Sequence, residues 1–542
     1  MAASATTERQ KRLTLLAAIL ASSIALLDGT VVNVALPAIR EDLDAGLATQ
    51  QWVVEAYLLM LGSLLLIGGS LSDVYGRRRV FAAGAAGFGL TSLVCAAAPT
   101  GPLLIAARGL QGAAGALLVP SALAVIVATF DDRERAAAIG AWTAWSGVAA
   151  LVGPLLGGVL VDSASWRLVF AINVAPVVLT LYLVARHVSP GLDRTTPRHV
   201  DLPGAVLCAL GLSGLVLGLI EQPARGFGDP LVAVPVAVGA AALAAFLAYE
   251  RRSRDPMLPL ELFRRRNFAV GNAATLVVYA GLGAATFFLP VYLQQVAGYG
   301  AVEAGLTLMP VTVIVFLLAR RFGALADRYG PRLFMGAGPV VAAAGLFLML
   351  RIDSSPSYVA DVLSAGAVFG LGLSITVAPL TAAVLADADH EHAGVASGVN
   401  NAIARVAGLV AIAAVGALLS ATFESALDDD LSGAPLSPAA RAAVRDARDR
   451  PLSVDVGPRV RGEERARVAD AVEDASVDGF RAGMAAAALL TLAGGLVAAA
   501  GIRNPRREVP CEGCPGGALV GASRDLAARP DEPVPVPAAA PG

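Results

Sequence analysis

The sequence GSLSDVYGRRR at residues 69–79 returns in outline as GALADRYGPR at residues 323–332. Both copies follow the pattern G-x-L-x-D-x-Y-G, both end an apolar run, and both lead into arginines. A basic loop that recurs between apolar runs is expected where a chain contains two membrane-embedded halves of similar build. The repeat therefore predicts two like helical bundles.

The composition is typical of a membrane protein. Of the 542 residues, 56% are hydrophobic and 15% are charged, with a mean hydropathy of +0.67, whereas soluble domains have about 25% charged residues. The net charge of −2 gives no basis for bulk attraction to nucleic acid. We expect Cys95 and Cys208 to be small buried side chains, and Cys511 and Cys514 to lie in a solvated tail without a metal.

Apolar runs of about 20 residues are long enough to cross a bilayer. Fourteen such runs can be read, near residues 13–36, 51–71, 79–98, 102–129, 136–160, 166–186, 201–220, 230–249, 268–295, 303–325, 332–350, 358–385, 394–420 and 481–502. The first is too long for a signal peptide and predicts a transmembrane helix. Residues 421–480 are polar, with Ala-rich segments that predict surface helices, and residues 503–542 are predicted to be disordered.

The short loops indicate the orientation of the chain. With the N-terminus inside, arginines concentrate in the even-to-odd connections, as the positive-inside rule expects. They are Arg77–Arg79, Arg133, Arg135, Arg194, Arg198, Arg251, Arg252, Arg254, Arg264–Arg266, Arg320, Arg321 and Arg328. The pattern predicts cytoplasmic termini, an even number of spans, and an extracellular segment at residues 421–480.

The twin loops also align the two halves, and the alignment separates repeated residues from unrepeated ones. Leu36-Pro37 and Leu289-Pro290 are expected to end the first helix of each half. Nine residues before Pro37 stands Asp28, whereas Gly281 occupies the equivalent position before Pro290. Two further ionisable residues of the first half also lack a charged counterpart in the second. They are Arg108 and Glu55.

These three residues form a candidate proton-coupling set. A charge at the bilayer centre costs from about 2.5 kcal/mol upward and usually has a partner. Asp28, Arg108 and Glu55 lie roughly 12, 9 and 6 Å below the outer ends of their predicted helices. An Asp beside an Arg stays ionised and one in an apolar wall takes up a proton, so an Asp that alternates between them carries protons. A static ion pair and, for Glu55, a solvated position at a cavity mouth stay open.

Five segments in order make the chain resemble the major facilitator superfamily, and in particular its fourteen-helix drug:proton antiporter branch. They are Leu27–Pro37, Gly69–Arg78, Arg108–Gly112, Gly147–Gly158 and Trp166–Val174. The likeness covers roughly residues 10–502. It implies an all-α fold with a cytoplasmic N-terminus (1–12), six-helix bundles at 13–186 and 268–502, a two-helix insertion at 187–267 and a cytoplasmic tail at 503–542.

The resemblance implies proton-driven export of hydrophobic or amphipathic small molecules, such as antibiotics, across the cell membrane. It implies no catalysis, no cofactor beyond the proton gradient, and a role for Arg108 in proton transfer; we expect a functional monomer. Proton-coupled import or facilitated passage of a small organic nutrient stays open. A membrane enzyme fits less well, because the close pair His390 and His392 is expected in a solvated loop. ATP drive is not expected, because the sequence contains no phosphate-binding loop.

Two sets of residues are expected to act where the halves meet. The loop set could hold the inner gate shut through helix ends and inner-surface carboxylates, with a purely topological role as the alternative; it comprises Gly69, Asp73, Gly76, Arg77, Arg78 and Asp327. The helix-5 set allows close backbone approach and a kink, with ordinary packing as the alternative; it comprises Gly147, Gly153, Pro154, Gly157 and Gly158.

Polar residues within the spans are candidates for a substrate cavity, and hydrogen bonding between helices is the alternative for the last three. They are Asn33, Gln111, Asn400, Asn401 and Arg405. Glu55 departs from the resemblance, since the related segment usually carries a small or hydroxyl residue there. We hypothesise that Glu55 tunes either the charge preference for substrate or the number of protons exchanged.

Overall fold

A computed structural model describes residues 8–504, apart from 190–200, 254, 255, 257, 387–392, 433, 449, 454, 455 and 457–459. The described chain is helical, without a strand. Most of the predicted tail, with Cys511 and Cys514, lies outside the described residues, as do His390 and His392.

Seven helices make up the first part of the chain. They are α1 (Glu8–Leu43), α2 (Leu47–Tyr75), α3 (Arg77–Ala97), α4 (Gly101–Thr129), α5 (Asp132–Ser163), α6 (Leu168–Ala171) and α7 (Val174–His187). A pair follows, namely α8 (Leu202–Arg225) and α9 (Pro230–Glu250). The remainder consists of α10 (Arg266–Gln295), α11 (Ala301–Leu306), α12 (Met309–Tyr329), α13 (Pro331–Leu348), α14 (Ser364–Ala386), α15 (Ala393–Asp430), α16 (Pro438–Arg448) and α17 (Gly462–Gly501), with a π-helical turn at Tyr358–Leu363 before α14.

The helices are long enough to form a multi-pass membrane bundle. Within the described residues, thirteen helical segments have the length and apolar composition to cross a bilayer. The 29-residue α2 is not among these thirteen, but it packs tightly along α4 inside the same bundle. With α2 included, the helices agree with the fourteen predicted spans.

The helices pack as two groups with a pair between them. Helices α1–α7 pack mainly against one another, as do α10 and α12–α17, whereas the short α11 packs mainly on α5. The pair α8–α9 rests on α2 of the first group and α15 of the second. We call the two groups the N-half and the C-half. We call the side of the bundle where α1 ends the Leu43 face, and the opposite side the Glu8 face.

The twin loops have the same local geometry. Gly76 joins α2 to α3 with φ 99°, and Gly330 joins α12 to α13 with φ 89°. Residues that carry a side chain rarely adopt a positive φ of this size, so glycine is needed at both turns. Two residues past each glycine an arginine follows, Arg78 and Arg332.

These two arginines make equivalent hydrogen bonds. Arg78 Nη2 donates to the Ala185 carbonyl at 3.1 Å, and Arg332 Nε donates to the Ala499 carbonyl at 2.7 Å. Each acceptor lies two residues before the end of the last helix of its half. A cation at a helix C-terminus satisfies a free carbonyl and interacts favourably with the helix dipole. The Arg78 contact is therefore with a backbone carbonyl rather than the expected carboxylate.

The prediction that Pro37 and Pro290 end their helices is wrong. Both prolines lie inside helices, and α1 runs on to Leu43 while α10 runs on to Gln295. A proline removes one backbone donor without forcing a helix to stop, because neighbouring helices in a bundle support the backbone. Measured from Leu43, Asp28 lies roughly 22 Å along α1 rather than 12 Å.

The polar segment 421–480 forms a helical cap on the Leu43 face. Helices α15 and α17 extend beyond the apolar bundle and enclose α16 around a small core that includes Phe423, Val444 and Val468. The cap belongs to the C-half, yet Arg450 Nη2 lies 2.7 Å from Asp44 Oδ1 in the turn after α1. It therefore reaches the N-half across the Leu43 face.

Helices α2 and α4 approach so closely that a methyl group at their interface would disturb the fold. A Cβ at Gly112 would lie 2.3 Å from the Tyr57 carbonyl oxygen, whereas a Cβ at Gly140 on α5 meets nothing within 4 Å. We expect Gly112→Ala to destabilise the protein by about 1–3 kcal/mol, seen as a lower unfolding temperature in detergent. Gly140→Ala is the control, and equal unfolding temperatures for the two variants would contradict this packing.

Candidate proton-coupling site

An ion pair between α1 and α4 lies at the centre of the N-half. Arg108 Nη1 is 2.5 Å from Asp28 Oδ2, and both side chains are almost fully buried, with 1% and 0% exposure. A buried charge is tolerated only where its remaining hydrogen-bonding positions are also satisfied. The surrounding side chains provide these partners.

Asp28 accepts hydrogen bonds from two amides as well as from Arg108. Gln111 Nε2 and Asn173 Nδ2 donate to Asp28 Oδ1 at 3.0 and 2.9 Å. Gln111 Nε2 is also 2.9 Å from the Ser92 hydroxyl oxygen. Helices α1, α3 and α4 and the start of α7 thus share one buried polar network.

Arg108 is held by groups from two other helices besides its pairing with Gln111. Its Nε donates to the Val53 carbonyl at 2.9 Å, and Nη1 also donates to Gln111 Oε1 at 2.6 Å. Its guanidinium carbon lies 4.3 Å from the centre of the Tyr57 ring and 5.6 Å from that of Phe170. Aromatic faces stabilise a cation at such distances. Protonation of Asp28 would remove the charge that balances Arg108 and would weaken the whole network.

Sequence reasoning paired Asp28 with Arg108 but missed most of the other members. Asn173 and Ser92 were not named as site residues, although Asn173 lies in the family-like segment Trp166–Val174. An amide within a span is the signal that could have found it. Gln111 was expected to line a substrate cavity, and the structure instead places it inside the network.

Glu55 lies apart from this network. It is fully buried, and neither carboxylate oxygen has a hydrogen-bond partner among the described residues. It shares a face of α2 with Gln51, whose amide donates to the Ile412 carbonyl of α15 at 3.0 Å. Glu55 is therefore buried near the contact between the two halves. The alternative interpretation, that Glu55 lies in solvent at a cavity mouth, is wrong for this structure.

The equivalent position in the C-half is Gly281, and among the described residues no polar network surrounds it. A Cβ at Gly281 would lie 2.1 Å from Thr491 Oγ1 and 2.5 Å from the Ala487 carbonyl oxygen of α17. Helices α10 and α17 thus touch directly where α1 and α7 are linked through Asp28 and Asn173. The repeat preserves the scaffold, and the ionisable site occupies one half.

The helix-5 residues form much of the seal at the Leu43 face. Gly158 of α5 lies against α11, because a Cβ there would be 2.6 Å from Val302 Cα. In return, a Cβ at Gly305 would be 2.5 Å from the Pro154 carbonyl oxygen. The carboxylate of Asp162 accepts hydrogen bonds from the free amides of Ala301 and Val302 at 3.1 and 2.9 Å. The halves are sealed against each other at this face.

Other members of the helix-5 set pack within the N-half. A Cβ at Gly153 would be 2.2 Å from Thr30 Oγ1, and one at Gly157 would be 2.6 Å from a methyl of Val31. Gly147 differs, since a Cβ there meets nothing within 4 Å. Close packing thus accounts for Gly153 and Gly157 but gives no reason for glycine at position 147.

The loop set lies at the Glu8 face. Arg77 Nη1 is 3.5 Å from the Ala124 carbonyl oxygen of α4, and Gly69 packs on Pro120 of that helix. The side chains of Asp73 and Asp327 lie outside the described part of the structure. Their expected contacts with helix N-termini stay predictions.

The remaining cavity candidates differ in their surroundings. Asn400 Nδ2 donates to Asn272 Oδ1 at 3.0 Å and to Thr275 Oγ1 at 2.8 Å, which links α15 to α10 within the C-half. Asn401 is exposed, and Asn33 and Arg405 are partly exposed. Hydrogen bonding between helices therefore accounts for Asn400, while the other three keep exposed surface. In the residues that the structure describes, no group of three His, Cys, Asp or Glu side chains could hold a metal.

Comparison with known proteins agrees with this architecture. The profile of the Major Facilitator Superfamily matches residues 18–412. The chain belongs to the Major Facilitator Superfamily. Solved structures support the fold alone, since a bacterial homologue of the human lysosomal transporter Spinster in an inward-facing, unoccupied conformation superposes with a TM-score of 0.64 at 15% identity over 92% of this chain and 100% of that one.

Several relatives within the superfamily carry names of export or resistance. The probable actinorhodin transporter of Streptomyces coelicolor is 36% identical over 79% of this chain and 76% of its own length. The tetracenomycin C resistance and export protein of Streptomyces glaucescens is 32% identical over 93% of both chains. The multidrug resistance protein Stp of Mycobacterium tuberculosis is 32% identical over 87% of this chain and 88% of its own.

A bulky side chain at Gly158 is expected to open the Leu43 face, because it cannot fit against Val302 and forces α5 and α11 apart. The reporter is Val34→Cys, placed at a fully buried residue of this face in a chain without its native cysteines. We expect Gly158→Val to increase the labelling of this cysteine by a maleimide that does not cross the membrane. Gly147→Val is the control, and equal labelling in both variants would contradict the seal.

Proposed function

We propose that this major facilitator protein exports hydrophobic or amphipathic small molecules, antibiotics among them, in exchange for protons. The observation that carries the proposal is the buried Asp28–Arg108 pair, an ionisable site inside the membrane-spanning bundle of the N-half. The export and resistance functions named for several relatives support the direction of transport. The proton gradient is the energy source, without a cofactor or covalent chemistry, and the monomer is the working unit.

The arginine-rich short loops favour a cytoplasmic Glu8 face and cytoplasmic termini. The Leu43 face and the cap at 421–480 are then extracellular, and the sealed state of the structure has its outer gate closed. Transport requires the two halves to rock so that the central space opens to each side in turn. In that motion the contacts between α5 and α11 break, and external protons reach the N-half.

Proton exchange at Asp28 then follows from the network. With Asp28 ionised, Arg108, Gln111 and Asn173 hold α1, α4 and α7 together. A proton on Asp28 weakens its attraction to Arg108 and loosens α1 from its neighbours. The charge state of one residue can therefore bias the packing of the helix that faces α5.

Removal of the ionisable group is expected to uncouple transport from the proton gradient. In inverted vesicles tested with a compound panel, the native protein should accumulate substrate only while a pH gradient is present. We expect Asp28→Asn to lose this gradient-driven uptake while it still binds substrate, because asparagine fills the same space without a titratable proton. Asp470→Asn, at an exposed position of α17, is the control.

A graded variant separates coupling from structure. Asn173→Ala removes one donor from Asp28 but leaves the ion pair with Arg108, so we expect a shifted pH dependence of uptake rather than its loss. If uptake by the native protein survives collapse of the gradient, proton antiport is wrong. Gradient-driven uptake in the opposite direction would instead support an importer.

Glu55 is proposed as a second coupling residue, because its carboxyl group lies at the junction of α2 and α15 that must change as the halves move. Exposure to water or to a cation lowers the cost of a buried charge, so opening changes its affinity for a proton. We expect Glu55→Gln to alter the pH dependence of transport or the preference between cationic and neutral substrates. Unchanged profiles, equal to those of the exposed control Glu463→Gln, would contradict this role.

A further inference from the structure

A second arginine lies inside the membrane-spanning region, on the opposite side of the half–half junction from Asp28. Arg405 belongs to α15 of the C-half and points towards α2 of the N-half, since a Cβ at Gly62 would lie 3.8 Å from Arg405 Cβ. Its Nε is buried, with no hydrogen-bond partner among the described residues. The side chain as a whole is partly exposed.

Arg405 differs from Arg108 in having no carboxylate partner within the described residues. Glu55 is seven residues from Gly62 along α2, roughly 10 Å towards the Leu43 face, and its own oxygens are unpartnered. Asp73 lies eleven residues from Gly62 in the other direction, roughly 16 Å away along the helix.

An unpaired guanidinium at this depth needs a partner from outside the fold. Arginine stays protonated in proteins, and a charge within a bilayer usually faces a cavity and interacts with an opposite charge. One turn before Arg405, Asn401 is exposed on α15, and glycine at position 62 leaves the facing surface of α2 without a side chain. Arg405 and Asn401, one turn apart, therefore form a polar strip along α15 that is partly open to solvent.

We propose that Arg405, with Asn401 beside it, binds the anionic group of the transported substrate. The substrate class is then amphipathic organic acids, whose carboxylate or ionised phenol binds the guanidinium while the apolar body contacts the surrounding helices. The planar guanidinium can hold a carboxylate through two parallel hydrogen bonds. This assignment rests on the proposed export function and adds the chemistry of the exported molecule.

The test compares one fluorescent arylcarboxylic acid with its methyl ester, which has almost the same apolar body but no charge. Binding is measured on the full-length protein in lipid nanodiscs, without any pH gradient. We expect the native protein to prefer the acid, and Arg405→Gln to weaken binding of the acid by roughly tenfold or more while ester binding changes little. Arg405→Lys should bind the acid with an affinity between those of the native protein and Arg405→Gln, because an ammonium keeps the charge without the planar geometry of the guanidinium.

The exposed Arg441→Gln of the cap is the matched control, since it also removes one arginine. Equal binding of acid and ester by the native protein, no binding of the acid, or an acid preference that survives Arg405→Gln would each overturn the proposal. If Arg405→Gln does not fold, the native acid–ester comparison and Arg405→Lys decide. Because no gradient is used, these results are independent of proton coupling, which the vesicle experiment tests separately.

Discussion

The ion pair between Asp28 and Arg108 constrains the whole N-half. Removing two charges from water costs several kcal/mol per ion, and the mutual attraction compensates only when the other hydrogen-bonding positions are filled. This requirement explains why amides from α4 and α7 converge on Asp28 and why Arg108 reaches the backbone of α2. The helix packing of the N-half is thus arranged around one carboxylate.

Helix α5 connects this site to the seal between the halves. Gly153 and Gly157 bring α5 against Thr30 and Val31, which follow Asp28 within one turn of α1. The next residue, Gly158, packs across the junction on α11. A change in α1 at Asp28 can therefore reach the Leu43 face through the close glycine contacts of α5. Glycines suit this role because they let the backbones of neighbouring helices come into direct contact.

Much of the fold could be predicted from the sequence, because apolar length, loop arginines and the repeat report directly on membrane packing. The twin glycines and the equivalent hydrogen bonds of Arg78 and Arg332 agree with the alignment of the halves. The predicted helix ends at Pro37 and Pro290 were wrong, because neighbouring helices support the backbone where proline lacks an N–H donor. Contacts such as that between Asn173 and Asp28 depend on the angles at which distant helices cross, which no local pattern specifies.

Arg108 and Arg405 both lie within the membrane-spanning region, but their charges are compensated in different ways. The difference suggests a separate role for each half. Arg108 is neutralised within the protein by Asp28, so its environment changes when a proton arrives. Arg405 has no such internal counter-charge in the described structure, so under the proposed mechanism its environment changes when an anion arrives. Each half then carries one charge whose compensation depends on a transported species.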